Sequence, residues 1–390
     1  MHDYRYLRER SLHRMPEKKK IIFLVTEDWY FWSHRLPLAR EAKRAGYSVV
    51  VATRVREHGQ RILDEGLRLI PIRMRRRYKN PLQELCALIE LVRIYRSEQP
   101  DIVHHVALKP VVYGSLAARF ARVPKVVNAI AGMGFVFSSD RFQAKLLRPV
   151  ITFFLKILLN RANTRTIFQN PDDLSMMVQA GVVGRGLTAL IRGSGVDQQL
   201  YAPSPEPDGA IVVMLASRML WEKGVGEFVE AARLLRAEQV HARFVLVGDS
   251  DGDNPAAIPT AQLEAWNRSN AVEWWGKRDD MPGVFAASHI VCLPSYREGV
   301  PKVLIEAAAC GRPIVTSDSP GCREIVRNNE NGLLVPVRDP LALAQALRVL
   351  IQDPSLRRRM GARGREIVRK EFTVDQVVGE TLALYKALYP

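Results

Sequence analysis

The chain has 390 residues, 47% of them apolar and 25% charged, enough for two domains with cores of their own. Those fractions are the ones of a globular protein and exclude a disordered, collagenous or membrane-embedded polypeptide. The formal charge of +16 is unevenly placed: residues 1–200 carry 34 Lys and Arg against 17 Asp and Glu, and residues 201–390 carry 23 against 24. The first half is therefore expected to face something anionic: nucleic acid, an anionic membrane surface or a phosphorylated acceptor.

In chain order, residues 1–17 read as a flexible polar tail, with no apolar region after a basic start, so no secretion signal is expected. Short apolar β-type runs then alternate with helical patterns. In the first half the predicted strands are Ile21–Thr26, Ser48–Thr53, Leu67–Ile72, Asp101–Val106, Lys125–Ile130, Arg165–Asn170 and Thr188–Gly193. Gly195–Pro207, rich in Pro and polar residues, reads as a linker. A second series follows: Ala210–Ala216, Arg243–Asp249, Ala271–Lys277, His289–Ser295, Pro313–Asp318 and Gly332–Val337. This alternation predicts two doubly wound parallel α/β domains, 18–200 and 201–371, facing each other across a cleft, with residues 372–390 carrying a last helix over Phe372–Leu388. Ligands are expected at the carboxyl ends of the strands, where the domains meet. Cys86, Cys292, Cys310 and Cys322 show neither paired nor metal-ligand spacing, which points to a reduced cytosolic protein.

In the first half, the turn after strand one runs Glu27–Arg35 without a glycine, so it carries no dinucleotide fingerprint. Trp29, Phe31 and Trp32 offer an apolar acceptor surface, with His34 and Arg35 opening the next helix. Two cationic segments stand out. Arg73–Lys79 holds Arg75, Arg76 and Arg77 in one cluster. Arg141–Arg165 interleaves Lys145, Arg148 and Lys156 with Leu146, Leu147, Val150, Phe153 and Phe154. The latter run is too short to span a bilayer but suits an anionic interface. Asn128–Phe135 ends strand five in a glycine-bearing loop open to close backbone approach.

In the second half, Arg218 and Lys223 flank a strand end just before Gly224, a sound way to grip a diphosphate, with Arg as a fork and Lys as a point charge. Asp249–Asp253 has spaced aspartates but neither the glycine–acid spacing nor the closing Glu of a calcium loop, so no metal is expected there. Glu298 stands at the mouth of a helix introduced by Pro301 at its first position, and Glu306 lies inside that helix, roughly 7 Å along its axis. The N–H groups around Gly299 make the end between them anion-binding. Carboxylates on either side of a diphosphate accept from hydroxyls, and hydroxyls, diphosphate and hydroxyls in series describe a nucleotide sugar.

The spacing of Glu298 and Glu306, with Arg218 and Lys223–Gly224 upstream, resembles the paired-glutamate signature of glycosyltransferase family 4, retaining enzymes of the GT-B fold, and the resemblance extends over nearly the whole chain after the tail. It implies that Glu298 contacts the donor sugar and Glu306 the nucleotide ribose, with Gly299, Val300 and Leu304 completing the donor site. Arg218 and Lys223 would clamp the donor phosphates and stabilise the leaving group. The stretch Trp274–Arg278, with Lys277 and Arg278, would lie at the base. The family often places an important His near the donor sugar at the end of strand four; alternation lets one of His104 and His105 face the cleft, and His105 is the reading taken here, with Lys109 behind it. The glycine-free turn at residues 27–35 departs from the family's glycine-rich loop.

The resemblance further implies a UDP-sugar donor, no metal or other cofactor, and a last helix packed back on the first domain. With the basic half, it favours a polyprenyl-diphosphate-linked acceptor at the inner face of an anionic membrane, used by a cytoplasmic, peripherally associated enzyme of bacterial glycan assembly. Alternatives are a soluble sugar-phosphate acceptor or a nucleotide-sugar epimerase and, more remotely, a nucleic-acid-binding protein. The last lacks interleaved aromatic and basic strand residues, and its paired glutamates would repel a polyanion.

Overall fold

The computed structural model describes residues 18–76, 80–133, 142–252 and 254–389, with the backbone alone for 142–145. The 1–17 tail, Arg77 and the side chain of Lys145 lie outside the described residues. Among the described residues thirteen strands form two all-parallel sheets. The first contains β1 (Lys20–Glu27), β2 (Ser48–Arg54), β3 (Arg68–Pro71), β4 (Ile102–Val106), β5 (Lys125–Ile130), β6 (Thr164–Phe168) and β7 (Thr188–Leu190), in the order β3-β2-β1-β4-β5-β6-β7. The second contains β8 (Val212–Ala216), β9 (Arg243–Val247), β10 (Glu273–Trp274), β11 (Ile290–Leu293), β12 (Ile314–Ser317) and β13 (Gly332–Val335), in the order β10-β9-β8-β11-β12-β13.

Both sheets are buried on both faces, which is why their strands read as continuous apolar runs rather than alternating ones. Ile22, Leu24 and Val50 pack with Leu91 and Tyr95 on one side of the first sheet, while Ile21, Phe23 and Val51 pack with Phe31, Ala39 and Tyr385 on the other. Tyr385 belongs to the last helix, Val374–Ala387, which comes back from the second sheet to lie on the first. The crossing is stitched by a bridge between Val196 and Thr373.

The strand orders reverse between β1 and β4 and again between β8 and β11, so each sheet opens a crevice at its strand carboxyl ends. Those two crevices face each other. Into the first project the turn after β1 and Ala107 after β4; into the second project Arg218 after β8 and the Tyr296–Glu298 loop after β11.

Candidate active site

The second-domain half of the site starts at Arg218 and the short 3-10 turn Trp221–Lys223. Gly224 follows at φ +72°, and a Cβ there would stand 2.2 Å from the carbonyl oxygen of Pro294. Glycine thus lets the Lys223 turn press against the end of β11. The turn is tied down by Tyr296 N–H and Ser295 Oγ, which both donate to the Glu222 carbonyl, at 3.0 and 3.2 Å. Lys223 Nζ consequently meets Glu298 Oε1 in an ion pair, and Ser295 Oγ donates to the same oxygen at 2.6 Å. Both side chains keep a partly open face, 16% for Lys223 and 13% for Glu298. A cation and a carboxylate preset side by side, each with a free edge on the crevice, can receive a phosphate and a sugar hydroxyl together.

Glu298 and Gly299 are gripped from the first domain. Asn170 Nδ2 donates to the Gly299 carbonyl at 2.8 Å and to that of Glu298 at 3.3 Å, and Gln169 Oε1 accepts from Val300 N at 3.2 Å. Arg297 reaches across to Asp173, which is almost wholly buried. Burial pushes that carboxyl up, and the Arg297 charge opposes the rise. At Gly299 a Cβ would fall 2.3 Å from Gln169 Oε1 and 2.8 Å from the Ala131 carbonyl, so the loops meet backbone to backbone. Gly299→Ala is expected to lower kcat/KM by about 10–100-fold by displacing Glu298, while each domain still melts at its normal temperature. Separate thermal unfolding and steady-state kinetics check this.

Pro301 is the N-cap of the following helix, Lys302–Ala309, rather than its first residue as expected. Leu304 is fully buried and Val300 nearly so. Glu306 stands apart from the Lys223–Glu298 pair: it is 6% exposed, its Oε1 lies 2.9 Å from Lys302 Nζ, and Tyr201 hydrogen-bonds to it.

From the first domain the helix Asp28–His34 faces these groups. Tyr30 and His34, one turn apart, stack at 4.1 Å. His34 Nδ1 lies 2.6 Å from Ser33 Oγ. Burial, then the cations of Lys302 and Arg35, hold the His34 imidazole well below its ordinary pKa. Burial raises the Tyr30 hydroxyl, against Arg35 and Arg218 and with Glu298. Tyr30 thus faces the site although the sequence reading passed over it; its i, i+4 spacing to His34 was the available signal. Arg35 is 5% exposed, beneath the pair.

Two expectations, on His105 and on Phe31, are corrected. His105 does not face the cleft. It is fully buried, with Nδ1 2.8 Å from Asn128 Oδ1 and Nε2 3.1 Å from the Tyr95 hydroxyl, so its ring is occupied inside the first domain. His104 is equally buried on the other face, against Tyr385 and Phe23. Phe31 belongs to the core, leaving Trp29 and Trp32 partly exposed. Lys109 pairs with Glu84 at 2.9 Å and lies 5.3 Å from the Tyr113 ring. Lys277 and Arg278 are exposed, Lys277 Nζ lying 3.6 Å from Glu57 of the first domain. Arg75 is exposed, whereas Arg76 stacks over Trp29 at 5.1 Å and reaches Asp251. Among the described residues no group of His, Cys, Asp or Glu is arranged to hold a metal ion.

Two facing doubly wound parallel domains, each opening a crevice where its strand order reverses, define a GT-B fold. The family model "Glycosyl transferase 4-like" matches residues 20–170, and the model "Glycosyl transferases group 1" matches residues 210–353. The chain is 30% identical over 351 residues to the N,N'-diacetylbacillosaminyl-diphospho-undecaprenol alpha-1,3-N-acetylgalactosaminyltransferase of Campylobacter jejuni, covering 87% of this chain and 91% of that one. It is 26% identical to the UDP-Gal:alpha-D-GlcNAc-diphosphoundecaprenol alpha-1,3-galactosyltransferase of Escherichia coli, over 83% of this chain and 84% of that one. Its fold matches the sucrose-phosphate synthase of Thermosynechococcus elongatus with a TM-score of 0.79 at 22% identity, covering 95% and 99% of the two chains. The chain belongs to the group 1, family 4-like glycosyltransferases and is a hexosyltransferase of that type.

Proposed function

We propose that this enzyme transfers a sugar, with retention of configuration, from a UDP-sugar to a polyprenyl-diphosphate-linked sugar at an anionic cytoplasmic membrane face. One observation carries the acceptor: the helix Phe142–Leu159 leaves Leu146, Leu147, Val150, Phe153, Phe154 and Ile157 between 41% and 65% exposed while Leu155, Leu158 and Leu159 are buried. So large an apolar face is unusual on a water-soluble surface. Lys156 lies exposed among these side chains, and the half of the chain that carries them has the whole positive excess. Leu82, Leu85 and Ile89, also exposed, extend apolar surface along Pro81–Glu98, the helix on the other side of Leu108–Ala121. An apolar face with cations around it suits lipid with anionic headgroups. Among the described residues no helix is long and apolar enough to cross a membrane, so association would be at the surface. Both named relatives act on undecaprenyl-diphosphate-linked sugars, and one takes UDP-Gal, which supports this donor and acceptor.

In the proposed reaction Arg218 and Lys223 neutralise the departing diphosphate, Glu298 holds a donor-sugar hydroxyl and Glu306 the ribose. In this reading the acceptor attacks on the face the phosphate leaves, and the phosphate takes up the acceptor's proton. No metal takes part. Gly299, Val300 and Leu304 shape the donor loop; Trp29, His34 and Arg35 line the acceptor side.

Nucleotide release from a panel of UDP-sugars, with and without undecaprenyl-diphosphate-linked sugar and EDTA, tests the reading. Release should need the lipid acceptor and survive EDTA. Flotation with phosphatidylglycerol vesicles should be lost in Leu146→Ser/Phe153→Ser, with activity on a detergent-dispersed acceptor retained. Release that is equally fast with soluble sugar phosphates, or isomerisation without an acceptor, would remove the lipid assignment.

A further inference from the structure

Asp251 sits in the loop after β9, and a single carboxylate oxygen of it takes two arginines. Arg218 Nη1 is 2.6 Å from Asp251 Oδ2, and Arg76 Nη1 is 2.6 Å from the same atom. Arg218 belongs to the second domain and Arg76 to the first, so one oxygen ties the domains together across the crevice mouth. Arg76 is anchored on its own side, 5.1 Å over the Trp29 ring and 3.7 Å from Glu27. Burial opposes ionisation of Asp251, yet Arg218 and Arg76 together hold its carboxyl below the usual range.

The contacts between domains differ at the two edges. On the β5–β6 and β11–β12 side a buried set, Asp173 with Arg297, Asn170 with the Gly299 carbonyl, and the Ala131–Gly132 backbone against Gly299, lies beside the solvent-facing pairs Arg323–Asp172 and Arg192–Glu324. On the β2–β3 and β9–β10 side they are ion pairs, the partly buried Arg76 with Asp251 and the exposed Lys277 with Glu57. Ion pairs open to solvent on one side are weak and readily exchanged for another anion, whereas the buried amide and backbone contacts of the other edge have no such substitute.

We infer that Asp251 is a built-in counter-anion for Arg218: it occupies this guanidinium and latches the open edge to Arg76 until a donor diphosphate takes its place. The inference rests on the reading of Arg218 as a diphosphate ligand. A carboxylate oxygen and a phosphate oxygen compete for the same fork, and only one can take its preferred geometry. Removing the competitor should therefore strengthen binding of the incoming phosphate, and removing Arg76 should not, because Asp251 then keeps Arg218 to itself.

The test uses UDP as the probe, with calorimetric titration of the full chain, its Asp251→Asn variant and its Arg76→Gln variant. Asp251→Asn is expected to bind UDP about three- to fivefold more tightly, the size of one partly exposed ion pair, and Arg76→Gln no more tightly than the parent. In parallel, spin labels on the exposed Cys86 and on Glu264→Cys report the separation of the domains. Without nucleotide, Asp251→Asn should give a broader, longer distance distribution than the parent. Unchanged or weakened UDP affinity in Asp251→Asn, or an unchanged distance distribution, overturns the inference while leaving the diphosphate reading intact. A parent protein that binds no UDP overturns both.

Discussion

Lys223→Ala is expected to lower kcat by about 10²–10³ with a much smaller change in the KM for the nucleotide sugar. The Lys223 ammonium is fixed before any substrate arrives, because Gly224 and the two bonds to the Glu222 carbonyl seat its turn against the end of β11. Glu298 holds it from the sugar side, and Ser295 holds Glu298. Charge that grows on the leaving diphosphate in the transition state thus meets a preorganised cation at no cost of reorganisation. Ground-state binding depends less on it, since Arg218 also grips the phosphates in this reading. Lys223→Arg should recover only part of the loss, because a guanidinium cannot occupy the compact position between Ser295 and the crevice. Steady-state nucleotide release at saturating donor is the measurement. A kcat within fivefold of the parent would show that Lys223 is structural.

The second large effect is on stability and comes from the paired histidines of β4. Burial lowers the His105 imidazole to about 4, against its hydrogen bond with Asn128, and burial, then Arg35 and His105, push His104 well below its ordinary value. Folded-state values below the unfolded ones mean that the unfolded chain takes up protons first as the pH falls. Stability is therefore full above about pH 6.5 and is lost progressively toward pH 4, with about 3 kcal/mol traceable to His105 alone. Denaturant melts at half-unit steps between pH 7 and 4.5 should show this decline, and His105→Gln should remove about one proton from its slope. An unchanged slope in that variant would mean the ring takes up its proton as readily in the fold as in the unfolded chain.

The same two residues mark where sequence reading stops. The thirteen strands of the described residues were legible, because parallel strands covered by helices on both faces must be apolar throughout. Strand alternation correctly sends His104 and His105 to opposite faces. It does not follow that one of them meets the cleft, since in a doubly wound sheet both faces are interior and only the strand's end opens outward. Tyr95, Asn128 and Tyr385, which decide the matter, lie 10, 23 and 281 residues away from the histidine each one meets. Phe31 was misread for a like reason: a seven-residue helix with aromatic side chains all round sends some to the core and some to the crevice, and the sheet beneath it chooses.

The Lys223–Glu298 pair was half legible. Each residue could be picked from its own motif, Lys before Gly and Glu before a helix, since strand ends and helix starts have local signatures. That they touch depends on β8 and β11 being neighbours at the point where strand order reverses. Asp251 was visible only as a possible metal ligand; its two arginines reach it from 33 and 175 residues away. By itself, then, the sequence determined the two parallel sheets and the family, because each is written in local periodicity, turn chemistry or spacing. Tertiary structure alone decided which carboxylate each cation meets, which ring is buried and which edge of the crevice Asp251 bridges. Those outcomes follow from distances between segments remote in the chain, and charge pairing and desolvation act on distance in space.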